Sequence, residues 1–76
     1  MPMTPYQGHR SWNAWNVSLY INNEEPLYRR ALELARKHGV AKAANLMAKE
    51  LKGQRTPDGG QYNRLTIYEA IKDIID

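Results

Sequence analysis

The sequence predicts an all-α fold, a small bundle of about four short helices with a flexible N-terminal arm at residues 1–10. Apolar residues recur at helical spacing over most of residues 11–76. Isolated glycines and one Thr-Pro-Asp-Gly-Gly run separate the periodic stretches, as turn signals do. The chain has 76 residues, which is the size of one small domain, so residues 11–76 are predicted to form a single unit.

The first element begins after Ser11, a residue type that favours the N-cap position. A helix ending near Asn22 or Asn23 is the preferred interpretation because its apolar residues recur at helical spacing. A strand stays open as the alternative, since the segment also alternates polar and apolar side chains and contains β-branched and aromatic residues. The apolar positions are Trp12, Trp15 and Leu19, with Val17 and Ile21 four residues apart.

The second element is an amphipathic helix that follows directly. Asn23 is its predicted N-cap, and Glu24 and Glu25 then lie in the first turn, where carboxylates oppose the positive end of the helix dipole. Gly39 is predicted to end this helix at a C′ position. Its apolar stripe consists of Leu27, Ala31, Leu34 and Ala35.

A third helix is predicted to start near Val40 and to end at Gly53, and a fourth to open at Thr66. The intervening Thr-Pro-Asp-Gly-Gly run at residues 56–60 is a turn signal. Thr66 and Glu69 have the spacing of a capping box. The predicted apolar faces are Val40, Ala43, Ala44, Met47 and Leu51 in the third helix, and Ile67, Ala70, Ile71 and Ile74 in the fourth.

Charge is concentrated in the middle of the chain. Residues 29–55 contain eight basic and two acidic residues, a net charge of +6, while the rest contains three basic and six acidic residues, a net charge of −3. Such a block attracts anionic partners, either nucleic acid or an acidic protein surface. The chain has no cysteine, which excludes disulfides and thiolate metal sites, and no apolar run long enough to span a membrane.

No catalytic constellation is visible in the sequence. His9 falls in the predicted arm, and His38 lies in the last turn of the second helix, where a cation offsets the dipole. No glycine-rich phosphate loop is present, and Glu24-Glu25 is explained by its position at a helix N-terminus. We therefore expect a non-enzymatic protein with no catalytic residues, no metal ligands and no cofactor.

Residues 34–44 resemble the turn of a helix-turn-helix module, in which an Ala four residues before a Gly lets two helices pack closely. Ala35 and Gly39 occupy these positions. The sequence departs from the pattern at Asn45, where the module has a buried aliphatic residue. Early in the next helix, alanines leave few side chains to read bases. The resemblance implies a small DNA-binding regulator, acting as a dimer, that uses Lys42, Asn45, Lys49 and Lys52.

The aromatic segment carries a second resemblance. Residues 12–28 resemble the opening of a family of small proteins encoded by phages, plasmids and integrated elements, which has a Trp-Asn-Thr-Trp-Asn-Val-Ala-Leu-Trp-Ile-Asn-Asn pattern. The family often carries a Thr-Pro-Asp-Gly turn, matched here at residues 56–59, and the two stretches cover roughly a third of the chain. Ala14, Ser18 and Tyr20 depart from the pattern. The resemblance implies a mobile-element origin and action in the host bacterial cytoplasm, with no catalytic residues to carry over.

These observations predict a phage-type protein that binds and inhibits a host defence complex, in the manner of an anti-CRISPR. The expected partner is a defence protein or ribonucleoprotein, with nucleic acid as the alternative partner, no membrane, and homodimer formation left open. We expect Trp15 to lie in the core, Trp12 to be partly exposed, and Asn13, Asn16 and Asn22 to bond across helix ends or to a neighbouring chain. The predicted contact residues are Arg29, Arg30, Arg36, Lys37, Lys42, Lys49 and Lys52, with Trp12 and Tyr20 as aromatic anchors.

Overall fold

The computed structural model describes residues 11–75, and within them it contains four α-helices and no strand. The helices are α1 (Trp12–Asn23), α2 (Glu25–His38), α3 (Val40–Glu50) and α4 (Arg64–Ile75). The all-α prediction is confirmed, and the strand alternative for the first element is wrong. The predicted arm at residues 1–10 lies outside the described residues.

The four helices pack as a ring. α1 packs against α2 and α4, and α3 packs against the same two helices, whereas α1 and α3 do not contact each other. α2 and α4 also contact one another across the middle of the ring. The outer surfaces of α1 and α3 therefore lie on opposite sides of the molecule.

The core is built from aliphatic side chains and alanines. The stripes predicted for α2, α3 and α4 face inward, and Met47, Ile67 and Ile71 are among the largest fully buried side chains. Burying one such side chain stabilises the fold by about 1.5–3 kcal/mol. Small alanines at Ala31 and Ala43 are completely buried, which lets the helix axes approach closely.

The face of α1 that enters the core differs from the one suggested by the tryptophans. Val17 and Ile21 are completely buried in the core cluster, while Trp12 is 39% exposed and Trp15 is half-buried outside that cluster. The expectation that Trp15 joins the core is therefore wrong. α1 is apolar on more than one side, so periodicity alone could not identify its buried face.

The ends of α1 and α2 are set by local hydrogen bonds. Ser11 is confirmed as the N-cap of α1, because its Oγ accepts a hydrogen bond from the Ala14 amide at 3.1 Å. Asn23 is the last residue of α1 and does not cap α2; Glu24 takes that position without a side-chain cap. Gly39 alone separates α2 from α3, with φ of 87°, in the left-handed region that favours glycine.

The predicted boundaries of α3 and α4 are shifted by the loop between them. α3 ends at Glu50, before a turn that contains Gly53. α4 begins before Thr66, because Asn63 Oδ1 accepts from the Thr66 amide at 2.9 Å and Thr66 Oγ1 accepts from the Asn63 amide at 3.1 Å. The capping box thus joins Asn63 to Thr66 rather than Thr66 to Glu69, since asparagine is the stronger N-cap residue.

Candidate functional site

The outer faces of α2 and α3 carry exposed positive charge. All seven basic residues predicted to contact a partner are exposed. Within residues 11–75, only Arg29 and Arg30 among these seven residues form salt bridges. The remaining five are Arg36, Lys37, Lys42, Lys49 and Lys52. We call these five residues the basic face.

Arg30 links α2 to α3 through an ion pair with Glu50. Its Nη1 lies 2.7 Å from Glu33 Oε1, and its Nε donates to Glu50 Oε1 at 3.0 Å, which ties α2 to the end of α3. Hydrogen bonding to Arg30 lowers the pKa of Glu50. Arg30 is therefore already engaged by two carboxylates and is a poor candidate for binding a partner.

Arg29 is only weakly engaged. Its Nη2 lies 3.6 Å from Glu25 Oε1, one turn earlier on α2, and both side chains are largely exposed. Exposed pairs of this kind contribute little stability, about 0.3–0.5 kcal/mol. Arg29 can therefore turn toward an anionic partner at small cost.

An open groove between α2 and the end of α4 adjoins the basic face. It has a volume of about 420 Å³ and combines aliphatic side chains with one tyrosine and one guanidinium. Ile75 at its edge is 47% exposed. Sequence periodicity did not predict this groove, because the groove depends on how α2 and α4 pack together and the pattern of one helix does not show that. Its lining residues are Tyr28, Leu32, Ala35, Arg36, Ile74 and Ile75.

The predicted aromatic anchors do not join the α3 part of the basic face. Trp12 lies on α1, which has no contact with α3. The Tyr20 hydroxyl donates to Asp58 Oδ2 at 3.0 Å, and this hydrogen bond is the main reason that the pKa of Tyr20 is raised. Tyr20 therefore holds the loop after α3.

The residues proposed for base and phosphate contacts lie on α3 and in the turn directly after it, which contains Lys52. Lys42, Asn45, Lys49 and Lys52 are all exposed, and Ala35 is buried as the helix-turn-helix pattern requires. The linker differs, however, because Gly39 alone connects α2 to α3. A helix-turn-helix module uses a turn of three to four residues. α2 and α3 pack against each other but are joined by a shorter connection than that module uses.

A buried asparagine joins α1 to the loop between α3 and α4. Asn16 is completely buried, and its Oδ1 accepts a hydrogen bond from the Thr56 hydroxyl. Its Nδ2 donates to Asp58 Oδ2 at 3.1 Å. The Thr56 Oγ1 in turn accepts from the Gly60 amide at 2.7 Å, so helix, hydroxyl and loop backbone form one chain of hydrogen bonds.

Asn13 bonds the next part of the same loop through two hydrogen bonds. Its Nδ2 donates to the Gln61 carbonyl at 3.0 Å, and its Oδ1 accepts from the Gln61 amide at 2.6 Å. We call the combined set the polar lock. Its members are Asn13, Asn16, Tyr20, Thr56, Asp58, Gly60 and Gln61.

The polar lock joins two segments that are far apart in the sequence. Asn16 of the Trp-Asn-x-Trp-Asn run bonds Thr56 and Asp58 of the Thr-Pro-Asp-Gly turn, and Asn13 of the same run bonds Gln61 just after that turn. A Cβ atom built on Gly60 would lie 2.5 Å from Asn16 Oδ1, which requires glycine there. The expectation that these asparagines bond across helix ends or to another chain is wrong for Asn13 and Asn16. Asn22 bonds within α1, to the Ser18 carbonyl.

Residues 11–75 contain no cluster of His, Cys, Asp or Glu side chains that could hold a metal ion. His38 is exposed at the end of α2, and His9 lies outside the described residues. In this part of the chain, each helix is too short or too polar to traverse a lipid bilayer.

A family model described as a family of unknown function (DUF7249) matches residues 3–76. This range contains both halves of the polar lock. No curated protein and no solved structure matches the chain.

Proposed function

We propose that this chain, which belongs to the family of unknown function DUF7249, is a non-enzymatic, phage-type protein that inhibits a host defence complex. It acts in the bacterial cytoplasm by occlusion, in the manner of an anti-CRISPR. Its partner is a defence protein or ribonucleoprotein with an anionic surface.

The observation that carries this proposal is the basic face beside the groove between α2 and α4. Interfaces commonly combine an apolar centre with a polar rim, and here Leu32 and Ile75 offer the apolar part while Arg36 borders it. Charge speeds association with an anionic partner, and apolar burial slows dissociation. Tyr28 replaces Trp12 and Tyr20 as the aromatic anchor in this arrangement.

DNA binding is the second candidate function. The observation that favours it is that Lys42, Asn45 and Lys49 on α3 and Lys52 in the turn after it are all exposed. Lysines at these positions contact phosphates, whereas base readout depends on Asn45 alone. This alternative therefore predicts binding that is weakly sequence-specific and steeply dependent on salt.

Duplex DNA separates the two candidates. Binding to random duplex is measured across a salt series for the wild type, for Lys42→Glu/Lys49→Glu, and for Arg64→Glu/Lys72→Glu, a control that reverses two exposed charges on α4. The inhibitor proposal expects negligible binding by all three proteins at physiological salt. Tight, salt-dependent binding that only the α3 variant loses would favour the regulator.

A plaque assay tests inhibition directly. The chain is expressed in bacteria whose CRISPR or restriction system targets an infecting phage, and plaquing efficiency is counted. We expect the wild type to raise plaquing by at least tenfold, Arg36→Glu/Lys37→Glu to lose the effect, and Arg64→Glu/Lys72→Glu to keep it. Failure of the wild type to protect phage across the tested defence systems contradicts the proposal.

A further inference from the structure

We propose that the outward side of α1 is a self-association surface that binds α1 of a second copy of this chain in antiparallel orientation. The surface is an apolar stripe of Trp12, Trp15 and Leu19, spaced at i, i+3 and i+7 and so on one face of the helix. Trp12 is 39% exposed, Trp15 and Leu19 are half-buried, and none of the three belongs to the core cluster of residues 11–75 or to the apolar side chains packed against it. Apolar stripes that stay partly accessible and are rimmed by polar residues mark interaction sites.

The absence of charge on α1 favours a second copy as the occupant. No residue of α1 is ionisable apart from the Tyr20 phenol, whereas α2, α3 and α4 each carry charged side chains. A two-fold symmetric contact places each patch against itself, so a charged patch meets its own charge. The outer side of α1 avoids this repulsion, although the chain as a whole has a net charge of +3.

The helix ends favour the antiparallel orientation. α1 has no acidic residue in its first turn and no basic residue in its last turn, so its dipole is not offset by its own side chains. Exposed Glu24 and Glu25 follow directly after its C-terminal end. Antiparallel pairing centred between Trp15 and Leu19 places these carboxylates beside the positive end of the other α1, where anions are stabilised.

The ring of helices keeps this surface separate from the basic face on α3. Because α1 and α3 lie on opposite sides of the molecule, pairing through α1 leaves both copies of α3 pointing outward. The inference therefore does not rest on the proposed inhibitor function. It also gives a dimer unlike that of a helix-turn-helix regulator, in which both recognition helices face the same side of the DNA.

The size of the surface sets the expected strength. α1 has 12 residues and is about 18 Å long. One helix of this length buries less than the roughly 800 Å² per partner of a standard interface. We therefore expect a reversible dimer with a dissociation constant in the micromolar range or weaker.

Sedimentation equilibrium of the full chain from about 1 µM to 1 mM tests the inference. We expect a monomer–dimer equilibrium in the wild type and a dissociation constant raised roughly tenfold or more by Trp12→Ser, since tryptophans are frequent interface hot spots. Leu19→Ser is expected to weaken the dimer as well, because it removes apolar surface from the contact. The matched control is Leu65→Ser, which removes a leucine 46% exposed on α4 and is expected to leave the equilibrium unchanged. Circular dichroism checks that each variant is folded.

Asn23→Lys provides a second variant that does not depend on removing apolar surface. Asn23 is exposed in the last turn of α1, where a lysine favours the helix itself. In the antiparallel dimer the lysine lies near the positive end of the other α1, so we expect severalfold weaker association without loss of stability. A chain that stays monomeric throughout, or a dimer weakened equally by Leu65→Ser, overturns the inference. The first result would assign the stripe to another occupant, such as residues 1–10 or a different protein.

Discussion

At the scale of single residues, Asn16 is the one polar side chain among the largest fully buried side chains of residues 11–75. It is completely buried and bonds both Thr56 and Asp58. We expect Asn16→Ala to lower the free energy of unfolding by about 1–3 kcal/mol, because the Thr56 hydroxyl loses its buried acceptor. Urea denaturation measures the change.

Asn23→Ala is the control for Asn16→Ala, since Asn23 is an exposed asparagine of the same helix. A surface substitution of this kind changes the free energy of unfolding by about 0.5 kcal/mol or less. Equal effects of the two variants would contradict the polar lock as a source of stability.

The contact between Tyr20 and Asp58 predicts a loss of stability at alkaline pH. The hydrogen bond to Asp58 raises the pKa of Tyr20, so the neutral phenol is favoured in the folded state. The contribution is complete below the unfolded pKa of about 10 and is lost as pH rises through the higher folded pKa. We expect Tyr20→Phe to have a lower free energy of unfolding than the wild type at neutral pH. This difference is expected to shrink as the pH rises through the folded pKa of Tyr20. Urea denaturation at pH 7 and above pH 10 measures it, and a difference independent of pH counts against this assignment.

The sequence singled out the asparagines beside the tryptophans but did not predict their hydrogen-bond partners. Asn13 and Asn16 stand out in the sequence beside the tryptophans, and residues 56–60 read correctly as a turn. Their bonds join positions separated by 40 residues or more. A local pattern contains no information about such pairing, so the polar lock became visible only in three dimensions.

At the scale of helices, the start of α4 depends on a capping box that the sequence pattern misplaced. Asn63 and Thr66 exchange hydrogen bonds between side chain and backbone. We expect Asn63→Ala to cost about 1 kcal/mol of folding free energy, because an amide of the first turn loses its acceptor. Thermal and urea unfolding measure the loss. Asn45→Ala on exposed α3 is the control and is expected to be neutral or slightly stabilising.

The link between α2 and α3 predicts a loss of stability at acid pH. Hydrogen bonding to Arg30 lowers the pKa of Glu50, so this contribution is present above the unfolded pKa of about 4.3 and disappears as pH falls through the folded pKa. We expect Glu50→Gln to be slightly less stable than the wild type at pH 7 and equally stable near pH 2. Both side chains are partly exposed, so the effect is modest. A difference that persists at pH 2 would point to packing rather than charge.

Three of the four helices could be assigned a buried face from the sequence, and α1 could not. α2, α3 and α4 have a single apolar side, so helical periodicity identifies what they bury. α1 offers two apolar sides, and the smaller residues Ala14, Val17 and Ile21 fill the core while the tryptophans remain outside it. The large size of the tryptophans therefore led to the wrong prediction of which side of α1 is buried.

At the scale of the whole molecule, the ring of helices separates two surfaces that the sequence placed in one site. α1 lies opposite α3, so Trp12 and the α3 lysines face different directions. We expect Trp12→Ser to leave protection of phage unchanged within about twofold, whereas Arg36→Glu/Lys37→Glu abolishes it. The same plaque assay measures both variants. Loss of protection in folded Trp12→Ser protein would instead require one partner that reaches both sides.

The polar lock also bears on the order in which the chain folds. α2 and α3 are neighbours in sequence and can pair early, whereas the lock closes a segment of about 40 residues and must await the approach of α4 to α1. Interactions that form after the rate-limiting step affect unfolding more than refolding. We therefore infer that weakening the polar lock raises the unfolding rate and leaves the refolding rate nearly unchanged. The contacts of the Thr-Pro-Asp-Gly loop would then form late in folding and slow the unfolding of the native state.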